Sequence, residues 1–239
     1  MEIILVRHCE TDWNKQNRCQ GISDISLNND GLKQAEDLRF YFSDRNIDIM
    51  FTSPLKRAIE TANIINTDKG LSIKYSEELR EMDQGDFEGI PFNTLRDYYS
   101  SELKQWRENP ENFRIPNGET LGEVRKRMIS FVGNMVKNYP ENLSVLVVSH
   151  NLALSTLLCS IKDKNLKIEN IDKIEIETYQ TAIDFCDKNN PQNNVEGKFS
   201  LQHCCALSLM YENILEDYFE DEILKNKLFH SRRSFPFGK

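Results

Sequence analysis

Short apolar runs alternate along this chain with longer stretches in which apolar residues recur every three or four positions. Ile3–Val6, Ile47–Thr52 and Ser144–Val148 are near-continuous apolar runs, the pattern of strands buried on both faces. Leu32, Ala35, Leu38 and Phe42 share one helical face after Asn28, the expected N-cap, with Gln34 and Glu36 on the wet side. Ser53-Pro54 reads as an N-cap followed by proline at the first helical position, ahead of Leu55, Ala58, Ile59, Ala62 and Ile65. Residues 91–115 predict one helix around Leu95, Tyr98, Tyr99, Leu103 and Trp106, with Pro110 and Pro116 at its exit. Leu121, Val124, Met128, Phe131, Val132, Met135 and Val136 form a long core stripe, and Leu154, Leu157, Leu158 and Ile161 a shorter one. Leu71–Tyr75 is expected as an edge strand and Cys205–Tyr211 as the last strand. Residues 162–200 are polar and poor in pattern, with a loop at Asn189–Asn194. Strands separated by helices predict an α/β fold of three α/β/α layers with a mostly parallel central sheet.

Composition narrows the functional classes. At 239 residues and 39% hydrophobic, the chain supports one substantial core. A formal net charge of -8 argues against nucleic-acid binding, so any anion site has to be a local basic patch. Six cysteines at irregular spacing, without a Cys-x-x-Cys pair, favour a reduced cytoplasmic protein over a disulfide framework. No signal peptide is expected at the charged amino terminus, and no apolar run reaches the roughly 20 residues of a membrane span.

The chemistry gathers where the strands end. Ile3–Val6 runs into Arg7-His8, Ser144–Val148 into Ser149-His150-Asn151, and Arg57 falls in the first helical turn after the second strand. Open parallel sheets hold ligands at that carboxyl edge. Taken singly, Arg7-His8 reads better as the solvated exit of a strand and Arg57 as a surface residue; their recurrence at three strand ends favours a shared site. A cation in a helix's first turn is disfavoured by the helix dipole unless an anion compensates it. Two arginines with two histidines suit a dianionic phosphoryl group, one imidazole neutral as nucleophile and the other charged. A carboxylic acid is then needed for the leaving oxygen. Glu77–Gly89 is an acidic loop with two glycines, and most of its carboxylates read as solvated. His203 reads as structural or solvated. There is no metal-ligand spacing, phosphate-cradling glycine motif or Gly-x-Ser-x-Gly elbow, so no metal and no cofactor is expected.

At this point the chain resembles the histidine phosphatase superfamily, the phosphoglycerate mutase-like group. The resemblance is carried by Leu5-Val6-Arg7-His8-Cys9-Glu10-Thr11, Asn14, Gln20-Gly21 and the segment Leu27…Gly31…Gln34-Ala35. It continues in Ser53-Pro54-Leu55-Lys56-Arg57-Ala58, Leu79-Arg80-Glu81…Gly85-Asp86-Phe87-Glu88-Gly89, Pro116-Asn117-Gly118-Glu119-Thr120 and Val147-Val148-Ser149-His150-Asn151. It implies a phosphoglycerate mutase-like fold with His8 as nucleophile, Arg7, Arg57 and His150 around the phosphoryl oxygens, and Glu81 as acid and base. Asn14, Gln20, Gly21 and Asn151 are then expected on the substrate side. The expected organisation is one domain over 1–239, with a helical cap insertion at about 90–140 and a charged tail at about 216–239. The sequence Glu-Met-Asp-Gln-Gly-Asp-Phe-Glu-Gly and a short insert resemble the phosphatase branch. The expected function is metal-independent hydrolysis of a small phosphomonoester through a phosphohistidine. A cofactor-dependent phosphoglycerate mutase and a catalytically silent phosphate binder are the alternatives. The expected partner is a small phosphoester, with no membrane; the assembly is left open, a dimer included. Two positions depart from the family. Cys9 and Asn151 stand where glycine is usual, so a narrowed pocket or strained backbone is expected there, with each main-chain N–H still available to phosphate and Cys9 sensitive to oxidation.

Overall fold

The computed structural model describes residues 1–160 and the strand Lys173–Glu177. The elements are β1 (Glu2–Arg7), α1 (Asp12–Lys15), α2 (Asn29–Phe42), β2 (Ile49–Thr52), α3 (Lys56–Ile65), β3 (Ile73–Tyr75), α4 (Phe92–Tyr98), α5 (Ser100–Glu108), α6 (Leu121–Asn138), β4 (Ser144–Ser149), α7 (Asn151–Ser160) and β5 (Lys173–Glu177). The five strands run in the order β3-β2-β4-β1-β5, and every described pair is parallel. The expected mixed α/β fold with a mostly parallel sheet is present.

Because strand side chains alternate between faces, β1, β2 and β4 feed two separate cores. Ile3, Leu5, Phe51, Val145 and Val147 face α6 and α7, where Val124, Met128, Phe131, Val132, Leu154 and Leu157 meet them. Ile4, Val6, Met50, Leu146 and Val148 face α2 and α3 through Ala35, Leu38, Phe42, Ala58, Ala62 and Ile65. Each fully buried large aliphatic side chain contributes roughly 1.5–3 kcal/mol, so the strands that carry Arg7 and His150 are rigid platforms.

Helix starts follow side-chain chemistry. Asn28 caps α2 by accepting from Gly31 N at 2.8 Å. Thr120 and Glu123 form a reciprocal capping box at the start of α6.

Several elements differ from the sequence expectation. Leu32 is 43% exposed and Gly31 takes its place on the buried face, because a Cβ there would stand 2.1 Å from the Glu10 carbonyl oxygen. Ser53 is not the N-cap of α3; the helix starts two residues later, at Lys56, and Ser53 is freed for other work. The helix expected over 91–115 breaks into α4 and α5 at Tyr99, whose ring packs on Phe87 at 5.1 Å. The edge strand expected at Leu71–Tyr75 is shorter, Ile73–Tyr75. Within residues 162–200, polar and poor in pattern, Lys173-Ile174-Glu175-Ile176-Glu177 pairs with β1 from Glu2↔Lys173 to Val6↔Glu177. Ile161, the Asn189–Asn194 loop, His203, the strand expected at Cys205–Tyr211 and the tail at 216–239 lie outside the described residues.

Candidate active site

Strand register places the two histidines. β1 and β4 are adjacent and parallel, with Arg7 opposite Ser149, so the next residue of each strand falls at the same height. The His8 and His150 rings lie 5.1 Å apart, tilted by 54°. Both are buried, at 2% and 0% exposure.

Hydrogen bonding fixes what each ring presents. His8 Nδ1 lies 2.7 Å from the Cys9 carbonyl oxygen. A carbonyl only accepts, so Nδ1 carries the proton and the Nε2 lone pair is left for chemistry. Burial first, then the Arg57 and Arg7 charges, holds His8 well below its ordinary 6.5. His8 is therefore a neutral imidazole at neutral pH. His150 Nε2 lies 2.7 Å from Ser53 Oγ, and its buried Nδ1 has no partner among the described residues. Burial, then Arg57 and His8, pushes His150 well down too. The sequence predicts a charged ring here; these surroundings favour the neutral form.

Arg57 is fully buried in the first turn of α3. Its two Nη groups donate to the Ser23 and Gly21 carbonyls at 2.8 and 2.7 Å, and Nε has no partner among the described residues. Burial lowers its pKa to about 10, opposed in part by Glu81 and Glu88, so it remains a cation at neutral pH. A buried cation held by carbonyls, with a donor to spare, is suited to a bound anion. Arg7 ends β1 beside it and adds to the positive field at both histidines.

The loop that holds Arg57 is itself clamped. Glu88 accepts from Ile22 N at 2.6 Å, from Ser23 N at 2.8 Å and from the Ser23 hydroxyl. Asp24 accepts from Lys56 N at 2.7 Å, and Glu60 from Leu27 N at 2.7 Å. Gly21 has no room for a side chain: a Cβ would meet Glu88 Oε1 at 2.4 Å and the Met82 carbonyl oxygen at 2.6 Å. The Thr11 hydroxyl lies 2.9 Å from Asn14 Oδ1 and 2.7 Å from Gln20 Oε1, which joins both residues to the base of this loop. Asn151 opens α7 directly after His150 and is half-buried.

Glu81 is 5% exposed. Its Oε1 accepts from Met82 N at 2.9 Å and Ala153 N at 3.1 Å; its Oε2 accepts from Leu152 N at 3.1 Å. Two of these donors are free N–H groups in the first turn of α7, the helix that follows His150. The carboxylate is thereby tied to the element that begins beside the second histidine.

The two departures from glycine are resolved differently from the expectation. Left-handed backbone among described non-glycine residues occurs only at Asn17 and Asn117, so neither Cys9 nor Asn151 is strained. Cys9 is fully buried in the core with Val6, Ala35, Ala58 and Ala62. Its N–H donates to Thr61 Oγ1 at 3.1 Å and is not available to phosphate. Burial raises its thiol to about 12, so the thiolate is disfavoured at neutral pH, which counts against the expected oxidation sensitivity.

Three contributors were missed in the sequence. Ser53 carries only the signature of a helix cap. Glu88 stands in an acidic run most of whose carboxylates read as solvated. Arg127 was not singled out, although it reaches the Glu81 loop from α6.

The edge of the parallel sheet thus brings together His8, His150, Arg57 and the helix-bound Glu81. The chain belongs to the histidine phosphatase superfamily (branch 1), whose model matches residues 3–192. A second model, the MmgE/PrpD C-terminal domain, matches residues 153–233, most of which lie outside the described residues. The phosphatase PhoE of Bacillus subtilis, itself uncharacterised, is 39% identical over 168 residues, 70% of this chain and 81% of the relative. Phosphoserine phosphatase 1 of Hydrogenobacter thermophilus is 32% identical over 161 residues, 67% of this chain and 76% of the relative. A protein of Erwinia tasmaniensis named as a phosphoglycerate mutase, GpmB, is 32% identical over 191 residues, 76% of this chain and 86% of the relative. Among solved structures, YhfR of Bacillus stearothermophilus superposes with a TM-score of 0.62 at 31% identity, covering 69% of this chain and 82% of that one. The two relatives named as phosphatases support phosphatase activity.

Proposed function

We propose that the protein is a metal-independent phosphatase that hydrolyses a small phosphomonoester through a phosphohistidine at His8. The observation that carries the reading is the 2.7 Å bond from His8 Nδ1 to the Cys9 carbonyl, which leaves Nε2 as a buried, neutral nucleophile beside two arginines. In the first half-reaction Nε2 attacks phosphorus, the phosphorus–oxygen bond to the leaving group breaks, and Glu81 gives that oxygen its proton. Both acceptor positions of Oε1 are occupied by N–H groups, whereas Oε2 has one open, so the transferred proton resides on Oε2. Arg7, Arg57 Nε and His150 Nδ1 hold the three remaining phosphoryl oxygens as charge develops. The arginines supply positive charge that a metal ion would otherwise provide, and the bound dianion draws a proton onto His150. In the second half-reaction water attacks phosphorus, Glu81 takes its proton, the phosphorus–nitrogen bond breaks and phosphate departs. Asn14, Gln20, Gly21 and Asn151 border the substrate side.

The test is a rapid quench with radiolabelled phosphomonoester. The expected result is a label that survives alkali, is lost in acid and is absent from His8→Ala, with hydrolysis unchanged by EDTA. Label on another side chain, or strong inhibition by the chelator, overturns the proposal. The GpmB relative keeps one competing outcome: turnover confined to 3-phosphoglycerate with 2,3-bisphosphoglycerate as donor makes the protein a mutase.

A further inference from the structure

Glu81 sits on an irregular loop between two single-turn helices, Glu77–Leu79 and Gly85–Phe87. A loop of this kind has no ladder to hold its carbonyls, yet four consecutive ones are taken. Arg127 Nη1 donates to the Glu78 and Arg80 oxygens at 2.7 and 2.6 Å, and Nη2 to the Glu81 oxygen at 3.0 Å. The Leu79 oxygen accepts from Ser149 Oγ at 2.7 Å, one residue before His150. The remaining Arg127 donors go to Glu119: Nε to Oε1 at 3.2 Å and Nη2 to Oε2 at 3.1 Å. Glu119 in turn binds residue 83 twice, accepting from Asp83 N at 2.9 Å and donating its own N–H to the Asp83 oxygen at 3.0 Å.

A guanidinium has five N–H donors, and all five are engaged here. Arg127 therefore has nothing left for a substrate anion, despite contributing to the positive field at His150. We infer that Arg127 is a positioning residue: braced by Glu119, it fixes the backbone on both sides of Glu81 so that the carboxyl meets the leaving oxygen. The inference rests on the reading of Glu81 as acid and base. A lysine keeps the charge but offers one ammonium in place of a planar fork, so it holds at most part of this set.

The experiment compares Arg127→Lys, Arg127→Met, Glu81→Gln and the double variant Arg127→Lys/Glu81→Gln. Each is assayed on p-nitrophenyl phosphate, whose leaving group departs without a proton, and on glycerol phosphate, whose leaving group needs one. Thermal unfolding confirms that each variant is folded. Glu81→Gln is expected to lose about 100- to 10,000-fold in kcat on glycerol phosphate and far less on the nitrophenyl ester. Arg127→Lys is expected to lose at least about tenfold more on glycerol phosphate than on the nitrophenyl ester, in kcat and not in KM. It is expected to add nothing further in the Glu81→Gln background. Should Arg127→Met not fold, Arg127→Lys carries the test alone. Equal losses on both substrates, or a full additive loss in the double variant, make Arg127 a structural brace only and overturn the inference. Glu81→Gln losing equally on both substrates instead overturns the assignment of the acid itself.

Discussion

Replacing Gly21 with alanine tests how Arg57 is held. Gly21 does not have a positive φ, so the effect is one of space. The new Cβ would stand 2.6 Å from the Met82 carbonyl oxygen, 2.7 Å from Gln84 N and 2.4 Å from Glu88 Oε1. Ordinary contact is near 3.5 Å, so the loop has to move by about 0.8 Å or more. Glu88 could swing aside, but only by giving up its bonds to Ile22 and Ser23, and the two backbone groups have no such freedom. Overpacking of this kind costs about 1–3 kcal/mol. For a chain of this size each 1 kcal/mol lowers the thermal midpoint by about 2–4 °C. The same movement displaces the Gly21 and Ser23 carbonyls that anchor Arg57, and a misplacement near 1 Å costs about 100-fold in rate. The assay is a thermal melt beside kcat/KM on p-nitrophenyl phosphate. A variant with the parent's midpoint and rate refutes the argument that this loop positions Arg57.

The buried histidines make stability depend on pH. Both His8 and His150 lie below 6.5 in the folded state, so their contribution is intact above 6.5 and is lost as pH falls from there toward their folded values. The midpoint is expected to fall between pH 6.5 and 5, by up to about 1.4 kcal/mol per pH unit for one group, and less steeply in His8→Asn. Asp30, Glu102 and Glu123 are lowered from 3.8, 4.5 and 4.5 and act below this window. A flat profile contradicts the neutral, desolvated pair. Ser53→Ala removes the partner of His150 Nε2 and frees the ring to change tautomer; kcat/KM is expected to fall about 10- to 100-fold. An unchanged rate would mean that Nδ1 needs no such fixing.

What the sequence revealed divides by range. The strands that carry Arg7, His8 and His150 are apolar through several consecutive positions, so their position and their polar exits stood out. Arg57 was visible because a proline-marked turn precedes its helix. Glu81 was singled out only through resemblance, since nothing local separates it from Glu77, Glu78 or Glu88. Ser53 carries a helix-cap signature; its hydroxyl still accepts from Leu55 N at 3.3 Å, but the contact with His150, which no local pattern reveals, uses it too. Arg127 looks like any polar residue on an amphipathic helix, because its partners are carbonyls 46 to 49 positions away. β5 was overlooked although Lys-Ile-Glu-Ile-Glu alternates as a strand should. Its charged positions hid an apolar content too low to stand out in a polar region.

β1 (Glu2–Arg7) lies between β4 and β5, which begin only at Ser144 and Lys173. On the ribosome, that first apolar segment has therefore emerged long before either neighbour exists. At about 5–20 residues per second, it waits on the order of ten seconds or more with its hydrogen-bonding edges bare. Closing so distant a pairing is slow, and β4 must also join β2 in the same act. His8 and His150 come together only at that step, so a nascent chain halted short of residue 150 holds β1 without either neighbour, an exposed apolar strand for chaperones to guard.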